Sequence, residues 1–241
     1  MMKKLILLVC ISISSTACAE IEKNQIAPTY SVENKTKSFF VEPVTLEEQD
    51  EVKVLLDKKW YFEVSLLKDG SPNKEVTNCN GLSNALGEGF NALSYREQKV
   101  IKAMNKTCLA WSYMGELSAS ATSYLSDFKH DSALAKQMPP ELALIISNDD
   151  ERRLAKASSW EEMSHIKKME SLNKDQAVYY DNSGGIQKLA VMAKGDYNND
   201  GIEDMVLYMV NTLEEGNYSS TYGYVVTRLA ADAPYTLIKQ F

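Results

Sequence analysis

Asp196-Tyr-Asn198-Asn-Asp200-Gly201-Ile202-Glu-Asp204 runs directly into Met205-Val-Leu-Tyr-Met-Val210, and the rest of the chain reads outward from that junction. Counted from Asp196, side-chain oxygens fall at positions 1, 3, 5 and 9, with a glycine at position 6 where the backbone must turn sharply. That is the donor pattern a hard cation such as calcium asks for, because it takes oxygen ligands from a chain folded back around it. Ile202, at position 7, has only its carbonyl to offer. The residues from Met205 onward are strand formers, so the loop is expected at a hairpin. A polar turn without metal is the competing reading, since Asn-Asp-Gly alone is a turn signal. It leaves the matched carboxylates unexplained. The expected work of the ion is to pin the turn rather than to serve chemistry.

An EF-hand is not expected, because position 12 is Leu207 where the bidentate glutamate belongs. The pattern D-x-N-x-D-G-x-x-D leading into a strand resembles the short calcium loops of FG-GAP/VCBS-type β repeats and, more distantly, those of dockerins. The resemblance implies Asp196, Asn198, Asp200 and Asp204 as side-chain ligands of a structural Ca2+ ion, with Ile202 adding its carbonyl. Without the bidentate carboxylate the dissociation constant is expected on the order of 10⁻⁴ to 10⁻³ M, which fills only outside the cytosol. One copy of the motif is present, which excludes a propeller built of repeats.

Around the loop the apolar period is that of strands. Residues 177–180, 186–193, 204–211, 222–229 and 235–238 are strand candidates. Their connections are short and favour antiparallel neighbours, which puts the metal loop in a hairpin over 186–211. Upstream, residues 58–67 read as a strand with Trp60, Phe62 and Val64 on one face, closed by the turn Lys68-Asp-Gly70-Ser-Pro72. Ser94 and Glu97 form a capping box ahead of Val100, Ile101, Met104, Cys108 and Trp111, spaced as one helix face. Pro139 and Pro140 suit the first turn of a short helix ending near Ile146. Asn148-Asp-Asp-Glu151 begins another, with Arg152, Arg153 and Lys156 toward its far end as the helix dipole favours. The fold expected is α+β, a helical N-terminal and middle part packed on a C-terminal antiparallel β-sheet, in one domain over 46–241.

The N-terminus carries Lys3 and Lys4, an apolar run from Leu5 to Ile13, and small residues leading to Ala17-Cys18-Ala19. These are the zones of a secretory signal, too short to span a bilayer, with cleavage expected after Ala19. The competing reading is a lipoprotein acylated on Cys18, although Ser15 stands where a lipobox has an aliphatic residue. Loss of residues 1–19 takes two lysines and no acid, moving the net charge from −7 to −9 and making nucleic acid an unsuitable partner. Residues 20–45 are polar, contain Pro28 and Pro43, and read as a flexible leader. Export leaves Cys79 and Cys108, and two cysteines in an oxidising compartment most simply form a disulfide.

Little else suggests chemistry. His130 and His165 stand 35 residues apart outside any metal motif and read as surface residues. Glu161 or Glu162 with Asp181 is the carboxylate pair that glycoside hydrolysis could use, but nothing sets these acids apart from solvated ones. Phe128, Pro140-Glu-Leu142, Trp160, the stretch 195–204 and Val226-Thr-Arg228 together are similar to a family of uncharacterised bacterial envelope proteins, over residues 105–240. That resemblance implies an envelope address and no activity. The function expected is that of a non-enzymatic periplasmic protein that binds another protein, concretely an inhibitor or immunity protein against an envelope-acting toxin. The alternatives are an envelope hydrolase acting on cell wall or glycan, and a structural envelope protein anchored through Cys18, the one case in which a membrane is a partner.

Overall fold

Met205, Leu207 and Met209 face one hydrophobic core and Val206 and Tyr208 face another, all of them buried. Successive side chains of a strand point to opposite sides, so an unbroken apolar run means a strand covered on both. The computed structural model of the chain describes residues 25–31, 36–42 and 44–241. The export signal read over 1–19, with Cys18, lies outside them.

In chain order the strands are β1 (Thr29–Tyr30), β2 (Val64–Leu67), β3 (Lys74–Val76), β4 (Asn91–Ala92), β5 (Ile166–Asn173), β6 (Gln176–Asp181), β7 (Gly185–Gly195), β8 (Asp204–Leu213), β9 (Ser219–Thr227) and β10 (Thr236–Gln240). The helices are α1 (Gln49–Asp57), α2 (Cys79–Gly87), α3 (Tyr95–Met114), α4 (Leu134–Gln137), α5 (Asn148–Leu154) and α6 (Trp160–Ser164). β10, β9, β8, β7, β6 and β5 lie side by side in an antiparallel meander, and β3, β2 and β4 form a separate small sheet. The fold is therefore α+β with a C-terminal antiparallel sheet, as its period suggests. No helix among the described residues is long and apolar enough to cross a membrane.

The main sheet is clad by different helices on its two sides. Val52 and Leu55 of α1, Leu82 and Ala85 of α2, and Ile101, Cys108, Trp111 and Met114 of α3 pack with Met192, Val206, Tyr208 and Val225. Leu134, Met138, Leu142, Trp160 and Met163 pack with Tyr179, Leu189, Val191, Leu207, Tyr224 and Val226 on the other. The disulfide joins Cys79, first residue of α2, to Cys108 in α3, with Cα atoms 5.3 Å apart. It closes a loop of 29 residues, worth roughly 3 to 4 kcal/mol by the chain-entropy argument.

Several local expectations shift. Val100 is 57% exposed, because the buried stripe of α3 runs through Ile101, Thr107, Cys108 and Trp111 instead. Ser94 caps α3 by accepting from the Glu97 N–H, while the Glu97 carboxylate takes the Ser94 hydroxyl rather than its N–H. The prolines make one 3-10 turn, Pro140–Leu142, after which Ala143 is already extended. α5 starts at a full capping box between Ser147 and Asp150.

The described parts of the stretch read as a flexible leader are packed. Phe39 and Phe40 are buried, with the Phe39 ring 4.9 Å from Trp111 and 5.3 Å from Trp60. Two aromatic rings outweigh the polar residues around them, since each buries enough apolar surface to hold a short segment in place. β1 has a second reason to dock. β6 pairs with β7 only as far as Ala190, a bulge follows between Val191 and Ala193, and Tyr30 then pairs with Ala193 and Thr29 with Lys194. The segment closes an edge that β6 leaves open.

Candidate metal centre

The hairpin between β7 and β8 holds the sequence 196–203, so the loop stands where the strand period places it. Its outer side rests on residues 117–123, which follow α3. Ser118 and Asp196 exchange backbone hydrogen bonds at 2.8 and 2.9 Å, Ala121 and Thr122 both donate to the Gly201 carbonyl, and Glu203 donates to the Thr122 carbonyl at 2.9 Å. The Ser123 hydroxyl donates to the Glu203 carboxylate at 2.5 Å. Backbones this close require small side chains, and a Cβ on Gly195 would stand 3.0 Å from the Leu117 Cβ and 3.1 Å from the Ser118 carbonyl oxygen. The small residues after α3 thus support the loop, a role their composition alone does not announce.

Inside the loop, Asn199 and Gly201 adopt left-handed backbone, with φ of 62° and 83°. That turns successive N–H groups toward Asp196, which is 3% exposed. Its Oδ2 accepts from the Gly201 N–H at 2.7 Å and its Oδ1 from the Asp200 N–H at 3.2 Å. The Asn198 side-chain oxygen Oδ1 also accepts from the Asp200 N–H, and its side-chain N–H2 donates to Asp200 Oδ2 at 2.9 Å. Asp200 Oδ1 accepts from the Ile202 N–H at 2.8 Å. Asp204, fully buried, accepts the Tyr197 N–H on Oδ2 at 2.9 Å.

The other oxygen of Asp204 is different: Oδ1 is buried without a hydrogen-bond partner, and so is the hydroxyl of its cross-strand neighbour Thr227. Burial pushes the Asp204 carboxyl up to about 6, and the charges of Asp200 and Asp196 add to the rise, while the Tyr197 N–H and the Thr227 hydroxyl, which lies nearby but short of hydrogen-bond geometry, oppose it. A buried carboxylate oxygen without a donor is costly, and two like charges beside it raise that cost. The donor set fits a hard cation: three carboxylates, an amide oxygen and a main-chain carbonyl. Their present aim is inward, onto loop N–H groups, and among the described residues no three His, Cys, Asp or Glu side chains are grouped so as to hold an ion. Asp196, Asn198 and Asp200 are brought together, Asp204 is tied to the loop through Tyr197, and Ile202 follows Gly201 at the turn.

The remaining candidates have structural duties. Glu161 accepts from the Ile166 N–H, Glu162 from the N–H and hydroxyl of Ser158, and Asp181 from the Ser183 N–H, the Ser183 hydroxyl and the Gly185 N–H. His165 is exposed and ends α6 in left-handed backbone. His130 is not the surface residue expected, since it packs between Phe128 and Tyr179 with Nδ1 3.0 Å from the Tyr179 hydroxyl and Nε2 buried without a partner. The Phe128 and Tyr179 rings and the Tyr179 hydroxyl hold it in place, and burial lowers its pKa from the ordinary histidine value against the opposing pull of Asp175 and Asp131.

Two polar constructions escaped the sequence. Arg228, 2% exposed, donates to the Ala233 and Tyr124 carbonyls and pairs with Asp127 at 2.6 Å, tying the β9–β10 turn to residues 124–127. Gln187 accepts from the Trp160 indole at 2.9 Å and donates to the Leu142 carbonyl and to Asn211, fastening α6 and the 3-10 turn to the sheet. Neither leaves a signal in sequence beyond a polar side chain in or beside an apolar strand. In comparisons with family models, curated proteins and solved structures, the chain matches none.

Proposed function

We propose that this chain is a non-catalytic envelope protein whose work is binding another protein, and that one Ca2+ ion in the 196–204 loop braces the sheet it presents. The observation that carries the calcium reading is the buried, unpartnered Oδ1 of Asp204 beside the charges of Asp196 and Asp200. A cation supplies the missing partner and cancels the repulsion. Loading would exchange the Asn198 to Asp200 hydrogen bond for contacts to the ion, and the left-handed Asn199 and Gly201 already give the chain the bend this needs. The supporting cast is the 117–123 segment, which holds the loop from outside and limits the rearrangement to side chains.

The address rests on the disulfide, which suits an oxidising compartment, and on the export signal of the sequence. Binding rather than turnover is favoured because Glu161, Glu162 and Asp181 each commit one carboxylate oxygen to a local backbone donor. The concrete form of the reading is an inhibitor or immunity protein that shields the cell from an envelope-acting toxin. Tagged protein recovered from envelope extracts in millimolar calcium is expected to bring down one protein ligand in near-equal amount, and less of it after chelation. Recovery of the tagged chain alone, with and without a competitor strain, defeats the reading.

A further inference from the structure

Lys99, Lys102 and Lys106 of α3 follow at spacings of three and four residues and share one helix face. They extend over about 10 Å of helix. They line a groove of about 550 Å3 whose opposite wall is Ser219, Ser220 and Thr221 of β9. A second groove of about 620 Å3 adjoins it, sharing Lys99, Ala103 and Ser219, and is lined by Phe62, Val100 and Met104 with Tyr61 beside them. Val100 and Tyr61 are 57% and 61% exposed, so this apolar surface is open to solvent.

The charge of this region is opposite to that of the whole. The chain has 33 acidic and 26 basic residues, yet no Asp or Glu lines either groove. Among the described residues Lys102 and Lys106 make no ion pair, and Lys99 reaches only the Asn217 carbonyl, at 3.4 Å. Lys106 is half-buried, and burial together with the nearby Lys102 lowers its pKa from the ordinary lysine value. A purely ionic ligand leaves the apolar groove wet, and a purely apolar one leaves the lysines without a counter-charge.

We propose that the two grooves form one binding site for an anionic amphiphile, with a phosphate head on Lys99, Lys102 and Lys106 and an apolar body over Phe62, Val100 and Met104. The site is independent of the calcium reading. Asp204 pairs with Thr227 and Thr212 with Ser219, so the metal loop and the grooves sit at opposite ends of the β8–β9 ladder, roughly 25 Å apart along the strand.

Calorimetric titration of the full chain with dodecyl phosphate below its micelle threshold tests this, with inorganic phosphate and dodecyl maltoside as the head-only and tail-only probes. Dodecyl phosphate is expected to bind at least roughly tenfold more tightly than either. Lys102→Glu with Lys106→Glu, and separately Val100→Asp, each remove most of that advantage without lowering the melting temperature. If charge reversal does lower it, Lys102→Gln with Lys106→Gln takes its place. Co-sedimentation with phosphatidic acid vesicles but not phosphatidylcholine vesicles, lost in the lysine variant, assigns the head to a membrane lipid; binding of the free amphiphile alone assigns it to a soluble one. Equal affinity for all three probes, or an unchanged affinity in the lysine variant, overturns the proposal.

Discussion

Replacing Asp204 by Asn separates the electrostatic and metal parts of the account, because the two predict effects of opposite sign. The carboxyl of Asp204 is raised from 3.8 to about 6. A group raised on folding favours the protonated form, so its contribution to stability is full below pH 4 and is lost as pH rises through 6. At pH 7.5 without calcium the ionised carboxylate is therefore a burden. A shift of about two units corresponds to at most about 3 kcal/mol, and reorganisation around a buried charge reduces it. Asn keeps an acceptor for the Tyr197 N–H, carries no charge against Asp196 and Asp200, and sets an amide N–H2 where Oδ1 had no donor. Asp204→Asn is thus expected to stabilise the calcium-free protein by about 1 to 2 kcal/mol, raising Tm by roughly 2 to 8 °C for a chain of this size. On the proposed calcium reading the same substitution removes a ligand. In the native protein, calcium at ten times its dissociation constant adds about 1.4 kcal/mol, and the variant is expected to add almost none. Scanning calorimetry of both proteins in chelator and in 10 mM calcium gives the four melting temperatures. A variant less stable than the native chain in chelator refutes the electrostatic argument, and a variant that keeps the full calcium response refutes the assignment of Asp204 as a ligand.

The other expectations concern the scaffold. Cys79→Ser with Cys108→Ser is expected to cost roughly 3 kcal/mol in urea unfolding, with calcium response retained; an unchanged midpoint contradicts it. Gln187→Leu strips partners from the Trp160 indole, the Leu142 carbonyl and Asn211 at once and is expected to cost roughly 3 to 5 kcal/mol; Trp160→Phe added to it should cost less than it does alone, and simple additivity argues against a shared network. Burial lowers the His130 pKa, so its stabilising share is present above pH 6.5 and is lost as pH falls from there through its folded pKa. Stability measured from pH 8 to 5 should therefore drop more steeply in the native chain than in His130→Gln, and parallel curves refute the burial of that imidazole.

How much of this was legible depends on what each residue faces. Five strands of the main sheet stood out because Leu189, Leu207, Tyr224 and their neighbours pack on covered faces, so burial and sequence period coincide. β5 did not, since Lys167, Lys168 and Asn173 face solvent at the sheet edge and its membership is decided by pairing with β6. Phe39 and Phe40 were lost in a polar average, although two rings are enough to bind their segment to Trp60 and Trp111. The 196–204 loop was visible as an oxygen-donor pattern and its place in a hairpin followed from the strands around it. Its backing by residues 117–123 was not, because contacts between distant backbones leave only small side chains as a trace. His130, Arg228 and Gln187 belong to the same class: polar side chains whose roles are set by partners far away in sequence.

The central claim is that the loop from Asp196 to Asp204 holds one calcium ion, and titration calorimetry with calcium chloride tests it most directly. The account predicts a single site per chain with a dissociation constant on the order of 10⁻⁴ to 10⁻³ M, absent from Asp200→Ala. Heats no different from dilution up to 10 mM calcium, or equal binding by that variant, would contradict it.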